Sequence, residues 1–157
     1  MEEIRIERTA PEAVDVVDKI EKLLEKPCYV IDVLPKKVPA DANGSFFEVE
    51  AYFEDNYGQY QFQKKFVDII LKLMCYYPVS VFEYDAGRLI ESPSPRVVVD
   101  LVRNNESSLG ILLGRDTLFM LEKRCLNVAV YNPDYDMREI ISRIAGAEGL
   151  FWRESGV

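Results

Sequence analysis

Hydrophobic and polar residues along this chain follow two different spacings, one typical of helices and one typical of strands. Apolar residues recur every three or four positions in four stretches, which predicts helices over 10–26, 59–76, 95–103 and 133–146. Shorter apolar or alternating runs between turn residues predict strands over 28–34, 46–54, 79–84, 88–91, 108–113, 118–121, 126–131 and 150–152. The pattern therefore predicts helices separated mostly by pairs of strands.

Three helix starts carry side chains that can cap the first turn. Thr9 and Glu12 match a capping box, in which the hydroxyl and the carboxylate each accept a backbone N–H. Ser94 before Pro95 predicts an N-cap followed by a proline at the first helical position. Asn132 before Pro133 predicts the same arrangement for the last helix.

This order of elements favours an α+β fold. Hairpins between helices are typical of a mixed or mainly antiparallel sheet, here of about 6–8 strands with about four helices packed largely on one face. A doubly wound parallel sheet would instead alternate single strands with single helices. The 157 residues fit a single α+β domain over 1–157, long enough to bury a sizeable core.

The charge of the chain restricts its partners. There are 27 acidic and 19 basic residues, giving a formal net charge of −8. Such a surface repels the phosphates of nucleic acids and anionic lipids, so we expect the partner to be another protein, and the charge favours a basic one. The first residues lack a cationic segment followed by an apolar one, and no apolar run is long enough for a membrane span. We therefore expect a cytoplasmic protein.

Histidine is absent from the sequence, and this restricts the chemistry. Histidine-based triads, cysteine–histidine pairs and histidine-bound zinc are excluded. Cys28, Cys75 and Cys125 are widely spaced and stand beside apolar residues, as buried cysteines of a reducing compartment do. We expect a protein without catalytic activity and without a cofactor.

The alternating stretch 46–54 offers the main candidate binding site. As a strand, it would turn Phe47, Val49, Ala51 and Phe53 toward the core. An acidic, tyrosine-bearing face would then point outward and continue into the following turn, with the candidate residues Glu48, Glu50, Tyr52, Glu54, Asp55 and Tyr57. Carboxylates steer basic partners and tyrosine adds apolar area, which predicts protein–protein binding of a regulatory or inhibitor type. Toxin-neutralising immunity proteins use surfaces of this kind.

Two other functions are compatible with the same residues. On a strand, Glu48 and Glu50 would lie roughly 7 Å apart on one face and could share a divalent cation with Asp32 or Asp41. With Lys64 and Lys65 following, this layout resembles metal-dependent nucleases of the PD-(D/E)xK type, which implies a hydrolase, although Glu50 stands where that motif has lysine. A small-ligand-binding domain is the other alternative, and it requires a concave pocket.

Overall fold

A computed structural model of the chain describes residues 6–8, 10–104 and 106–157. Within them, eight strands and five helices form. The strands are β1 (Ile6–Arg8), β2 (Cys28–Asp32), β3 (Val79–Glu83), β4 (Arg88–Glu91), β5 (Leu109–Leu113), β6 (Thr117–Leu121), β7 (Asn127–Tyr131) and β8 (Phe151–Glu154). The helices are α1 (Ala10–Leu23), α2 (Phe46–Asp55), α3 (Phe62–Leu73), α4 (Pro95–Arg103) and α5 (Tyr135–Ala147).

All eight described strands belong to one sheet, in the order β1-β4-β3-β5-β6-β7-β2-β8. Every neighbouring pair is antiparallel, which confirms the predicted α+β class with its antiparallel sheet. Short turns join three antiparallel pairs of strands that are adjacent in the chain, β3 with β4, β5 with β6 and β6 with β7. β3 also pairs with β5, although β4 and α4 separate the two in the sequence. By contrast, β2 is inserted between β7 and β8, far from its neighbours in the sequence.

Helices cover both faces of the sheet, with three of them on the same side. Ile20 and Leu23 of α1 pack with Leu112 and Leu118 on one face. On the other face α3, α4 and α5 share the larger core, which includes Ile111 of β5. Adjacent residues 111 and 112 therefore point to opposite sides, as expected of a strand buried on both faces. None of the described helices has the length and apolarity needed to span a bilayer.

Local capping signals correctly place one helix start and misplace another by two residues. The Ser94 hydroxyl accepts a hydrogen bond from the Val97 N–H at 3.2 Å, as predicted. For α5 the N-cap is Asp134, whose carboxylate accepts from the Met137 N–H at 2.9 Å. Asn132 instead adopts a left-handed conformation (φ 63°), and its amide donates to the Asp116 carbonyl, so it belongs to the preceding turn. Thr9 and the side chain of Glu12 lie outside the described residues.

The stretch predicted as a strand over 46–54 is a helix. Its backbone follows helical hydrogen bonding from the start, where the Val49 N–H donates to the Ser45 carbonyl at 3.0 Å. The alternating pattern is therefore not the alternation of a sheet face. This correction matters most for function, because the candidate binding residues lie on this segment.

Candidate functional site

On α2 the predicted acidic residues do not share one face. A helix turns about 100° per residue, so side chains two positions apart point in nearly opposite directions. Glu48 is exposed on the outward side with Tyr52 and Asp55, whereas Glu50 lies half-buried on the other side. Glu54 is exposed one helical turn beyond Glu50. The structure therefore distributes the acids around α2 instead of aligning them.

Tyr57 does not lie on the protein surface. Its side chain is only 7% exposed, and its hydroxyl donates to the Cys125 carbonyl at 2.7 Å. Burial raises the pKa of the Tyr57 phenol well above its ordinary value. The prediction that Tyr57 presents its ring to a partner is therefore wrong, and the residue instead attaches the end of the α2 segment to the core.

The carboxylates proposed for a metal site do not come together. Asp32 is nearly buried and pairs with Arg153, with 2.6 Å between its Oδ2 and the guanidinium Nη2. Its other oxygen accepts the Val33 N–H at 2.7 Å. Among the described residues no three acids, cysteines or histidines are placed to hold one ion, and Asp41 lies exposed in a loop. The strand on which the nuclease resemblance depends is also absent from the described 46–55 segment.

Sequence reasoning missed the most exposed apolar side chains of this segment. Phe47 is 80% exposed and Val49 is 48% exposed, although the strand pattern had placed both toward the core. The inward side of the helix is formed by Phe46 and Phe53, which are half-buried. These two are seven positions apart, which is helical spacing, and this was the signal that could have identified the helix.

A groove lies between the N-terminal turns of α2 and the loop that follows β2. Its volume is about 560 Å³. The apolar residues that line it include Leu34, Val38, Pro39, Phe46, Phe47 and Val49. We call this groove, together with the exposed side chains of Phe47, Val49 and Tyr52, the α2 surface.

Few contacts hold α2 in place. The ring of Phe53 packs edge-on against Tyr60 at 5.0 Å and Phe62 at 5.4 Å between ring centroids. The Arg124 guanidinium donates to the Glu54 carbonyl at the C-terminal end of the helix. Every residue of α2 is exposed or half-buried. The helix is thus held through Phe53 and its C-terminal end, while Phe47 and Val49 in its first turn stay exposed.

Charge around the α2 surface is predominantly negative. The segment 33–57 carries five carboxylates, on Asp41, Glu48, Glu50, Glu54 and Asp55. It carries only two lysines, Lys36 and Lys37. Of these acids Glu48 lines the groove, and an apolar area on such an acidic segment favours a partner that combines apolar side chains with positive charge.

No family model, curated protein or solved structure matches this chain. The identity of a relative therefore adds nothing to the chemistry described above. What the α2 surface can do follows from its shape, its exposed rings and its charge.

Proposed function

We propose that this chain is a cytoplasmic, non-enzymatic protein of regulatory or inhibitor type that binds another protein through the α2 surface. The observation that supports this most directly is Phe47, a phenylalanine 80% exposed beside an apolar groove. Contiguous exposed apolar surface is costly in water and commonly marks an interaction site. A partner that covers Phe47 and fills the groove would remove this cost.

The expected partner is basic. Glu48 lines the groove and the net charge of the whole chain is −8, so a positively charged protein is attracted before contact. Helical partners that insert apolar side chains into grooves are a common recognition mode. We therefore expect a partner segment whose apolar side chains occupy the groove and whose lysines or arginines face Glu48, the carboxylate that lines it.

The test uses two synthetic peptides with the same helical apolar pattern, one of leucine and lysine and one of leucine and glutamate. Backbone amide NMR shifts of the protein are followed during titration. We expect the lysine peptide to shift residues 34–55 and the glutamate peptide to bind at least about tenfold more weakly, because its charge is repelled. Shifts spread evenly over the acidic surface would contradict the proposal.

A substitution with a matched control tests the role of Phe47. Phe47→Ser removes the exposed ring and should weaken binding of the lysine peptide by about tenfold, as loss of a central aromatic contact does. Tyr76→Ser removes an aromatic ring that is 64% exposed outside the α2 surface, and it should leave binding unchanged. Both variants should unfold at the wild-type denaturant concentration. Equal loss of binding in the two variants would contradict the assignment.

Binding of a small apolar ligand is a second candidate function, supported by the size of the groove. Its volume of about 560 Å³ falls in the range of small-molecule sites. Titration with decanol separates the two functions. If decanol shifts the groove residues and neither peptide does, the groove is a ligand site and the protein-binding proposal fails.

A further inference from the structure

An aromatic cluster with a single arginine lies at the other end of the sheet from β1, where β2 and β8 form the last pair. The rings of Tyr29 and Trp152 stack in parallel, with centroids 5.1 Å apart and planes inclined by 3°. Arg138 of α5 lies over the Tyr29 ring at 5.4 Å and over the Tyr135 ring at 5.7 Å. Its Nη1 donates to the Tyr29 hydroxyl at 2.7 Å. These contacts hold the guanidinium in one orientation.

Arg138 has no carboxylate partner among the described residues, and its buried Nε donates to no acceptor there. An arginine without a carboxylate partner is unusual in a chain with an excess of acidic residues. Arg153 shares the buried Nε without an acceptor among the described residues, but its guanidinium is paired with Asp32 at 2.6 Å and also donates to the Val157 carbonyl at 3.1 Å. The positive charge of Arg138 is therefore oriented but not neutralised by a neighbouring acid.

The four residues of this cluster surround a shallow depression of about 240 Å³, together with Glu139 and Ser142. Glu139 is engaged by the Tyr135 hydroxyl, which donates to its Oε1 at 3.1 Å. Its negative charge lies beside the depression and opposes the entry of a doubly charged phosphate more than that of a single carboxylate. We call Tyr29, Tyr135, Arg138 and Trp152 the Arg138 site.

We infer that the Arg138 site recognises a partner protein segment that carries a carboxylate next to an apolar side chain. A planar guanidinium pairs with a carboxylate through parallel hydrogen bonds, and Arg138 retains donors for this. The apolar side chain would pack against the half-buried rings of Tyr29 and Trp152, which line the depression. Tryptophan, tyrosine and arginine are the residues that dominate binding energy in protein interfaces. The inference does not depend on the α2 surface, which prefers the opposite charge.

Trp152 is the one tryptophan of the chain, so its fluorescence reports directly on this site. The probes are acetyl-Leu-Glu-Leu-amide, acetyl-Leu-Gln-Leu-amide and inorganic phosphate. We expect the glutamate peptide to change Trp152 emission saturably, and the glutamine peptide to bind at least about tenfold more weakly because the charged hydrogen bond is lost. Equal affinity for the two peptides, or preferential binding of phosphate, would overturn the proposal.

Two arginines of α5 supply a matched pair of variants. Arg138→Gln should weaken the glutamate peptide by about tenfold, whereas Arg143→Gln removes the same charge from an exposed position and should change affinity less than about twofold. Arg138→Lys keeps the charge and most of the packing, but an ammonium group cannot donate the two parallel hydrogen bonds of a guanidinium. This variant should weaken binding by about threefold to tenfold. This variant keeps the test valid if Arg138→Gln unfolds. An equal effect of Arg143→Gln, or wild-type affinity in Arg138→Lys and Arg138→Gln, would show that Arg138 does not bind the carboxylate.

Discussion

The helices α2 and α5 are of similar length, but they are stabilised in different ways. α5 begins at a formed N-cap and buries Met137, Ile141 and Ala145 in the core. In α2, all of whose residues are described, none is buried, and the Ser45 side chain makes no capping hydrogen bond with the described residues. The comparison shows that α5 is anchored by buried side chains, whereas α2 buries none of its residues and leaves Phe47 and Val49 exposed.

The largest difference between the two helices should appear when one apolar side chain of each is truncated. Ile141 is 0% exposed, so Ile141→Ala should lower the free energy of unfolding by about 2 to 5 kcal/mol through lost burial and the cavity left behind. Phe47→Ala removes a larger side chain that is 80% exposed and should change the free energy of unfolding by no more than about 0.5 kcal/mol. Urea unfolding measures both. Similar losses would mean that Phe47 is buried in solution.

Stability should depend on alkaline pH through Cys125, in the loop between β6 and β7, and through Tyr57, which follows α2 and contacts it. Burial raises the pKa of the Cys125 thiol to about 11. The backbone carbonyl of the same residue accepts the hydrogen bond of the Tyr57 hydroxyl. As the pH rises, the thiol ionises first in the unfolded chain, where its pKa is the ordinary value of about 9. Its contribution to the free energy of unfolding is therefore complete below about pH 9 and is lost as the pH rises toward about 11. The raised pKa of Tyr57 acts in the same direction at higher pH. We expect the free energy of unfolding to fall by about 2 to 3 kcal/mol over this interval.

Two alanine variants separate Cys125 from the other thiols in this pH titration. Cys125→Ala should flatten the decrease, since the group responsible is removed. Cys75→Ala, at an exposed position, should leave it unchanged. A decrease that persists in Cys125→Ala between pH 9 and 11 would assign it to other groups.

The smallest expected difference concerns the two N-caps. Asp134→Ala removes the acceptor of the Met137 N–H and should cost about 1 kcal/mol. Ser45→Ala removes a side chain that makes no capping bond with the described residues and should change stability by less than about 0.5 kcal/mol. Thermal unfolding of the pair measures the difference. A cost for Ser45→Ala as large as that for Asp134→Ala would show that α2 has a working cap after all.

Elements whose signals are local were predicted well. The hairpin of β6 and β7 pairs Leu118 with Tyr131, and α4 begins at the Ser94 cap, because both depend on residues close together in the chain. The segment 46–54 was predicted wrongly because its residues fit two periods. Val49 and Phe53 satisfy alternation together with Phe47, and they satisfy helical spacing together with Phe46. A strand also needs a neighbouring strand to hydrogen-bond its backbone N–H and C=O groups, whereas a helix forms these hydrogen bonds within itself.

The candidate site shows the same division. Sequence reasoning chose the segment 46–57 as the candidate site, which stays a prediction, but it turned Phe47 inward and Tyr57 outward, whereas Phe47 is exposed and Tyr57 is buried. Phe47 lines a groove together with the loop that follows β2, and Tyr57 donates a hydrogen bond to Cys125, which is 68 positions away. Neither contact can be predicted from the spacing of apolar and polar residues within the segment. The Arg138 site was missed for the same reason, since Tyr29 and Arg138 are 109 positions apart.

The sequence by itself determined the α+β class, most element positions, the acidity and the absence of histidine chemistry. These properties follow from composition and from spacings of a few residues, and neither depends on which distant parts of the chain come into contact. Only the tertiary structure decided that β2 lies between β7 and β8, that 46–55 is a helix, and which side chains of that helix meet water. These depend on which distant surfaces are available to bury an apolar side chain or to pair a backbone group, and that is a property of the whole folded chain.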